Sequence, residues 1–216
     1  MKHIIFPCLF LCLIFSQAFA QEDIIQNHSG LQFYFVNGYA VSYKLPTTGI
    51  WKYRINLDFS ANYGYQTEEN TQASYLRSES DNNRSISITL TPQAYINILT
   101  TEYANVYTGG GIFVGYNYSK QTSSSGYHNI MDTANYINVY KEISYTFGLS
   151  ALLGIEVAVT KNVTAFAESQ LYGGKSWSSY KVDNIQSENV PSWQNSSGHG
   201  WFVNYSTIRM GISIYF

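Results

Sequence analysis

The sequence predicts an all-β protein, a transmembrane antiparallel up-and-down β-barrel of eight strands, and three observations carry this prediction. Residues 51–65 alternate without a break between apolar and polar side chains, which is the pattern of a strand with one apolar face. No apolar run after residue 20 reaches the about 18 residues of a transmembrane helix. Aromatic residues make up 17% of the chain and charged residues only 12%, about half the roughly 25% charge of a soluble domain.

The stretch at 51–65 indicates which solvent each face meets. At 15 residues it is longer than the usual strand, and about 10 tilted residues already cross a bilayer. Its apolar positions, which we expect to face lipid, are Trp51, Tyr53, Ile55, Leu57, Phe59, Ala61, Tyr63 and Tyr65. The polar positions between them then face the interior of the barrel.

Residues 1–20 have the organisation of a cleaved signal peptide. Lys2 supplies the positive charge, residues 4–15 are apolar, and Ala18-Phe19-Ala20 has the small-x-small form of a cleavage site. The expected organisation is therefore a signal peptide at 1–20 and one barrel domain at 21–216. An uncleaved anchor or a lipid anchor is the weaker alternative. Both cysteines lie inside this segment, so the exported chain has no thiol chemistry.

The same alternation recurs along the chain and predicts eight strands. The Asn37-Gly38 pair is a strong signal for a tight hairpin turn, although a single strand with a glycine bulge is an alternative there. The expected strands are residues 24–36, 38–45, 51–65, 85–98, 104–119, 142–157, 162–173 and 206–216.

The connections between these strands alternate in length. The short ones lie at 46–50, 99–103 and 158–162, and the long ones at 66–83, 120–141 and 173–200. The long segments are rich in Ser, Asn and Gln, which favours solvated loops. Short turns on one side of the membrane and long loops on the other are typical of transmembrane barrels.

The polar face carries charged side chains that a narrow interior must pair, because an isolated buried charge costs several kcal/mol. We interpret these residues as a polar network that fills the lumen; a narrow, gated polar path is the alternative. The expected network consists of Lys52, Arg54, Asp58, Glu142, Glu156, Glu168 and Arg209.

Other functional signals are weak. After the predicted signal peptide the histidines are His28, His128 and His199, and their spacing resembles neither a catalytic set nor a metal site. We therefore expect no catalytic residues, no metal and no cofactor. The formal net charge of −2 argues against a nucleic-acid partner, which requires a clustered basic surface.

The carboxy-terminal residues carry a resemblance to a known class. Phe216 is preceded at every second position by Ile214, Ile212 and Met210, which is similar to the terminal signature of the bacterial outer-membrane β-barrel superfamily. This resemblance implies a location in the outer membrane, contact with outer-membrane lipid, and recognition by the barrel assembly machinery. The rival fold is a soluble eight-stranded barrel with an apolar cavity, as in lipocalins.

For function, the pattern favours a small barrel whose exposed loops make adhesive, protective or scaffolding contacts. A narrow channel for ions or small polar solutes is the second hypothesis, and a lipid-modifying enzyme is the third. The sequence identifies no external ligand.

Overall fold

The computed structural model of the protein describes residues 28–72, 75–129, 132–186, 192–206 and 208–216. The predicted signal peptide and the first residues of the predicted strand 24–36 lie outside these ranges. The described elements are β1 (Gly30–Val36), β2 (Tyr39–Lys44), β3 (Lys52–Gln72), β4 (Tyr75–Thr100), β5 (Ala104–Asn129), β6 (Asp132–Ala158), β7 (Val163–Gln186), β8 (Ser192–Tyr205) and β9 (Arg209–Tyr215). No helix within the described ranges is long and apolar enough to cross a membrane.

The strands close into a ring. Strands β1 to β7 pair in sequence order, each antiparallel to the next, while β9 pairs with both β7 and β1. Strand β8 pairs with residues 171–184 of β7, and β9 pairs with residues 163–168 of the same strand. Strands β8 and β9 thus lie one above the other along the same edge of β7, and together they form the eighth strand of the barrel. The prediction of an eight-stranded up-and-down barrel is confirmed.

Ser206 lies just after β8, where this eighth strand of the barrel is interrupted. Its backbone N–H donates to the carbonyl of Gln170 at 2.7 Å, and its hydroxyl accepts the N–H of Gln170 at 2.8 Å. One serine therefore satisfies both backbone groups of Gln170 where the regular ladder breaks.

The strands are strongly staggered around the ring. Gly211 of β9 pairs with Phe166 on one side and with Tyr34 on the other. Following the register from Tyr34 around the ring leads back to β7 at Ser176, ten residues beyond Phe166, by way of Ala40, Asp58, Thr89, Gly115 and Thr146. Such a stagger tilts the strands by about 40° and leaves an interior that side chains can fill.

The two faces of the wall have opposite polarity. Large apolar side chains such as Leu57 and Leu149 are 46% and 67% exposed on the outside. The largest fully buried side chains include Arg54, Gln32, Glu168 and Asn56. A soluble barrel buries its apolar face, so the lipocalin-like alternative is excluded and the outer face is the lipid-facing one.

Aromatic side chains mark the two edges of the apolar outer surface. The outer girdle comprises Tyr63, Tyr116, Tyr145, Trp177 and Trp201, and the inner girdle comprises Tyr43, Trp51 and Tyr53. Ten residues separate Tyr53 from Tyr63, about 33 Å along a strand and about 25 Å of height at this tilt. That height matches the apolar band of about 25 Å expected for a transmembrane barrel.

The first hairpin is much shorter than the others. Asn37 and Gly38 adopt φ angles of 58° and 139°, a region that asparagine and glycine tolerate best, and they join β1 to β2 in a two-residue turn. The single-strand alternative is therefore wrong. Because Tyr39 pairs with Phe59, six residues above Tyr53, the turn lies near the middle of the apolar band.

The predicted long loops are wrong over most of their length. Strands β3 and β4 pair up to Gln72 and Tyr75, β5 and β6 up to Asn129 and Asp132, and β7 and β8 from Leu171 to Asn184 of β7. Above the membrane both faces of a strand meet water, so the apolar alternation ends although the backbone ladder continues. We call the part of β3–β8 above the outer girdle the outer extension.

Candidate functional site: the interior plug and the outer cup

The interior between the inner girdle and mid-membrane is filled by three layers of paired charges, which we call the plug. In the innermost layer Lys44 Nζ lies 2.8 Å from Glu156 Oε2. The other carboxylate oxygen, Oε1, also accepts hydrogen bonds from Lys44, Thr164, Ser213 and Tyr215. The charge of Glu156 is thus fully compensated inside the barrel.

The middle layer is centred on Arg54 and Glu168, whose side chains are both fully shielded and whose Nη1 and Oε2 atoms are 2.8 Å apart. Arg54 also donates to the amide oxygens of Gln93 at 2.7 Å and Gln32 at 2.9 Å. Glu168 accepts hydrogen bonds from the side chains of Tyr34, Tyr107 and Gln170. Both charged groups of this pair are therefore satisfied, as a buried pair requires.

Gln32 connects the innermost and middle layers. Its Nε2 donates to the hydroxyl of Ser213 at 3.1 Å, and Ser213 donates in turn to Glu156 at 2.8 Å. Because Gln32 Oε1 accepts from Arg54, one continuous hydrogen-bond network runs through both layers.

The outermost layer of the plug is the ion pair of Arg209 with Asp58. Asn56 donates to the second oxygen of Asp58 at 2.6 Å. The Arg209 guanidinium also stacks 4.3 Å from the ring centre of Tyr34, which packs edge-on against Phe166. Aromatic packing thus supports this layer from below.

Glycines make room for the large rings of the plug. A Cβ atom on Gly154 would collide with the ring of Tyr107, and one on Gly211 would come within 2.6 Å of Phe166 Cζ. Side chains at these two positions would displace rings that support Glu168 and Arg209, so the absence of a side chain is a packing requirement.

The structure brings together five of the seven residues of the predicted network: Arg54, Asp58, Glu156, Glu168 and Arg209. Lys52 is half-buried and lines a small pocket at the inner mouth together with Lys44 and Glu156. Glu142 does not join the plug, because it lies in the outer extension opposite Tyr180. There its hydrogen bond with Tyr180 raises the pKa of the tyrosine.

Sequence reasoning missed several members of the plug. Lys44 lies two residues after the buried Ser42, on the polar face of β2 that points into the barrel. The alternation itself could therefore have revealed it. The uncharged members gave no comparable signal, because only a buried charge demands a partner of opposite charge; they include Gln32, Gln93, Gln170, Thr164 and Ser213.

Above the plug lies an open cavity of about 840 Å³, which we call the cup. Asp58 and Arg209 form its floor, and the lining continues over inward-facing residues of the wall and over residues 37–39 and 59–62 beside the first hairpin turn. The aromatic part of the lining is a cluster in which the ring of Phe113 lies 5.4 Å from that of Tyr172 and 6.0 Å from that of Phe202.

The described residues contain little that resembles a reactive centre. His28 lines the small pocket at the inner mouth, whereas His199 pairs with Trp177 at the outer girdle. Across the described ranges, no group of three or more His, Cys, Asp or Glu side chains is placed to hold a metal ion.

A closed eight-stranded barrel with an apolar outer band and a polar, charge-paired interior is the architecture of transmembrane barrels. The protein is therefore a small β-barrel of the bacterial outer-membrane type. No protein-family model and no curated protein matches the chain.

Among solved structures, the chain is similar to a major outer membrane protein from Thermus thermophilus, with 13% identity over 88% of this chain and 97% of that one, and a TM-score of 0.37. It is also similar to CarO2 of Acinetobacter baumannii, with 12% identity over 88% and 98% of the two chains and a TM-score of 0.34. For CarO of the same organism the identity is 10%, the coverage 91% and 100%, and the TM-score 0.34.

Proposed function

We propose that the protein is a non-conducting outer-membrane barrel that holds the outer extension above the cell surface, where it makes adhesive, protective or scaffolding contacts. The observation that carries this proposal is the unbroken pairing of β5 with β6, from Tyr118 opposite Ile143 to Asn129 opposite Asp132. Eleven residues beyond Tyr118 correspond to about 35 Å of strand. A ladder of this length presents its surface in a fixed shape.

The surface of the outer extension suits contacts with large, polar partners. On its outer face Asp183 bridges Lys181 at 3.1 Å and Lys141 at 3.5 Å, and Ser80 bonds Ser124 at 2.7 Å. These contacts, one within β7 and two between neighbouring strands, hold the side chains in place before a partner arrives. Preorganisation of this kind lowers the entropic cost of binding.

The plug supports an anchoring role for the barrel. Its side chains fill the interior of a barrel that is already narrow, and the Arg54–Glu168 pair bridges opposite walls. A channel would need a continuous polar path through these layers. The filled lumen thus weighs against the channel hypothesis and in favour of a barrel that serves as a support.

The experiment removes the outer extension and keeps the barrel. Residues 67–80, 122–139 and 180–196 are each replaced by Asn-Gly, so that the shortened hairpins close at residue pairs that already face each other, Gln66 with Asp81, Gln121 with Tyr140 and Ser179 with Ser197. We expect the trimmed protein to migrate faster unheated than boiled on a denaturing gel, as a closed barrel does. We also expect it to lose the surface attachment or serum survival that the full chain confers.

The matched control keeps the outer extension and weakens the plug with Glu168→Gln. We expect this variant, once it is in the membrane, to retain the surface phenotype. A trimmed barrel with the full phenotype would contradict the proposal, as would loss of the phenotype in a correctly inserted Glu168→Gln variant.

A further inference from the structure

The short first hairpin leaves a gap in the wall, which we call the slot. Strand β3 continues to Gln72 and β8 descends from Ser192 to Tyr205, whereas the hairpin between them ends at Asn37 and Gly38. Within the described residues, β3 beyond Phe59 pairs only with β4, and β8 pairs only with β7. The slot is therefore bounded by the free edges of β3 and β8 and by the hairpin turn below.

The slot lies at the depth of the outer leaflet. Its lower limit, the turn at Asn37 and Gly38, is near mid-membrane, and Tyr63 and Trp201 of the outer girdle stand at its upper end. The outward-facing side chains of β8 beside the slot are highly exposed: Trp201, Val203 and Tyr205 are 82%, 74% and 81% exposed. The medium outside the slot is thus lipid hydrocarbon over most of its height.

The cup and the slot form one continuous space. The lining of the cup includes Tyr39, Phe59 and Ala61, whose side chains belong to the outer face, together with the inward-facing Phe113 and Tyr172. Asn37, Gly38 and residues 59–62, which border the slot, belong to the same lining, so the cup opens into the slot. Its volume of about 840 Å³ falls within the roughly 300–1,000 Å³ of small-molecule sites.

The side chains that line the cup are suited to an acyl chain and to the ester group at its end. Phe113, Tyr172 and Phe202 offer an aromatic wall for a hydrocarbon chain. The floor carries no net charge, because Asp58 neutralises Arg209. At the two edges of the mouth, Asn62 and Asn204 carry amides that can donate hydrogen bonds to ester oxygens.

We propose that the cup binds an acyl chain of an outer-leaflet phospholipid, which enters sideways through the slot. The chain lies against the aromatic cluster, and the glycerol ester region stays at the mouth between Asn62 and Asn204. This site is independent of the outer extension, so it goes beyond the anchoring role.

The test uses the full-length protein in nanodiscs of dioleoylphosphatidylcholine, with Phe113→p-benzoylphenylalanine as a photocrosslinker in the cup. We expect irradiation to add the mass of one phosphatidylcholine at position 113. Phe147→p-benzoylphenylalanine, on the lipid-facing side, is the positive control. Phe166→p-benzoylphenylalanine, in the plug beneath Tyr34, is the negative control and should give no adduct.

A second variant blocks the slot. Asn62→Trp combined with Asn204→Trp places two large rings at the mouth, and we expect the lipid adduct at position 113 to be lost while that at position 147 is unchanged. If this variant fails to show the mobility shift of a folded barrel, Ala61→Trp alone narrows the mouth from outside and should decrease the adduct.

Either of two results would overturn the proposal. Absence of an adduct at position 113 while position 147 is labelled would mean that the cup holds water or another occupant. An undiminished adduct at position 113 in a folded, blocked variant would mean that the chain does not pass through the slot.

Discussion

Arg54 on β3 and Glu168 on β7 meet inside the barrel with Nη1 and Oε2 2.8 Å apart, and neither side chain is exposed to solvent. On one side of the ring, β4, β5 and β6 separate β3 from β7. On the other side they are separated by β2, β1 and the eighth strand of the barrel, which β8 and β9 form together. The two strands therefore belong to opposite walls, and the ion pair ties the barrel together across its interior.

The first prediction concerns the stability that this pair provides. Glu168→Leu leaves a buried, uncompensated guanidinium, which should lower the free energy of unfolding by about 3–5 kcal/mol. Replacing both partners, Arg54→Met with Glu168→Leu, should recover a large part of that loss because no charge remains buried. Urea unfolding in detergent micelles, followed by tryptophan fluorescence, measures both effects.

The matched control is the exposed pair of Lys141 with Asp183, whose side chains are 39% and 25% exposed. Lys141→Ala should change the free energy of unfolding by less than about 1 kcal/mol. Equal losses in Glu168→Leu and Lys141→Ala would show that the plug does not stabilise the barrel.

The second prediction concerns conduction. We expect the native protein to give no discrete current steps in planar bilayers, because side chains fill the plug. Replacing the pairs of all three layers with alanine, at Lys44 and Glu156, Arg54 and Glu168, and Asp58 and Arg209, should open a path and produce steps, whereas Arg54→Ala with Glu168→Ala alone should leave the lumen closed. Steps from the native protein that change in size with Arg54→Gln or Glu156→Gln would instead support the narrow channel hypothesis.

The wall of the barrel could be predicted from the sequence because lipid and lumen impose a period of two on each strand. This constraint revealed the lipid-facing side of residues 51–65, and the Asn37-Gly38 pair revealed the first turn. The constraint ceases at the outer girdle, where both faces meet water. Polar runs such as residues 121–125 therefore resemble a loop although the structure places them in β5.

The interior was harder to predict because the alternation tells whether a side chain points inwards or outwards, but not where it lies along the barrel axis. Glu142 is at an inward-facing position of the alternation, yet it lies above the outer girdle, three residues beyond Tyr145 on β6. The slot also has no sequence signal of its own. It arises because one hairpin is short while its neighbours are long, and this difference is visible only once the predicted loops are known to be strands.

The third prediction concerns the terminal residue. Phe216 is 63% exposed, and its backbone N–H donates to the carbonyl of Ser29 at 3.0 Å. Since the substitution keeps this backbone bond, Phe216→Ser should change stability by less than about 0.5 kcal/mol and permit refolding in micelles. If the terminal residues act as an assembly signal, the variant should nevertheless accumulate in cells as unfolded, protease-sensitive chain.

Two outcomes separate these roles of Phe216. Normal amounts of folded protein in the membrane would remove the assembly role from Phe216 and from the alternating Ile214, Ile212 and Met210. Failure to refold in micelles would make Phe216 a stability residue instead. Ile50→Ser, which changes a side chain that is 79% exposed in a short inner turn, is the control for loss of an exposed apolar group.

A lipid-facing wall around a filled polar interior can be tested by photolabelling the native protein in vesicles with a phospholipid that carries a diazirine on its acyl chain. The labelled positions are mapped residue by residue along β3. We expect labelling at Tyr53, Ile55, Leu57 and Phe59, which face outwards, and no labelling at Arg54 and Asn56, which are buried in the plug. Labelling of Arg54 and Asn56 with protection of their neighbours, or labelling without alternation, would contradict a membrane barrel with a filled polar interior.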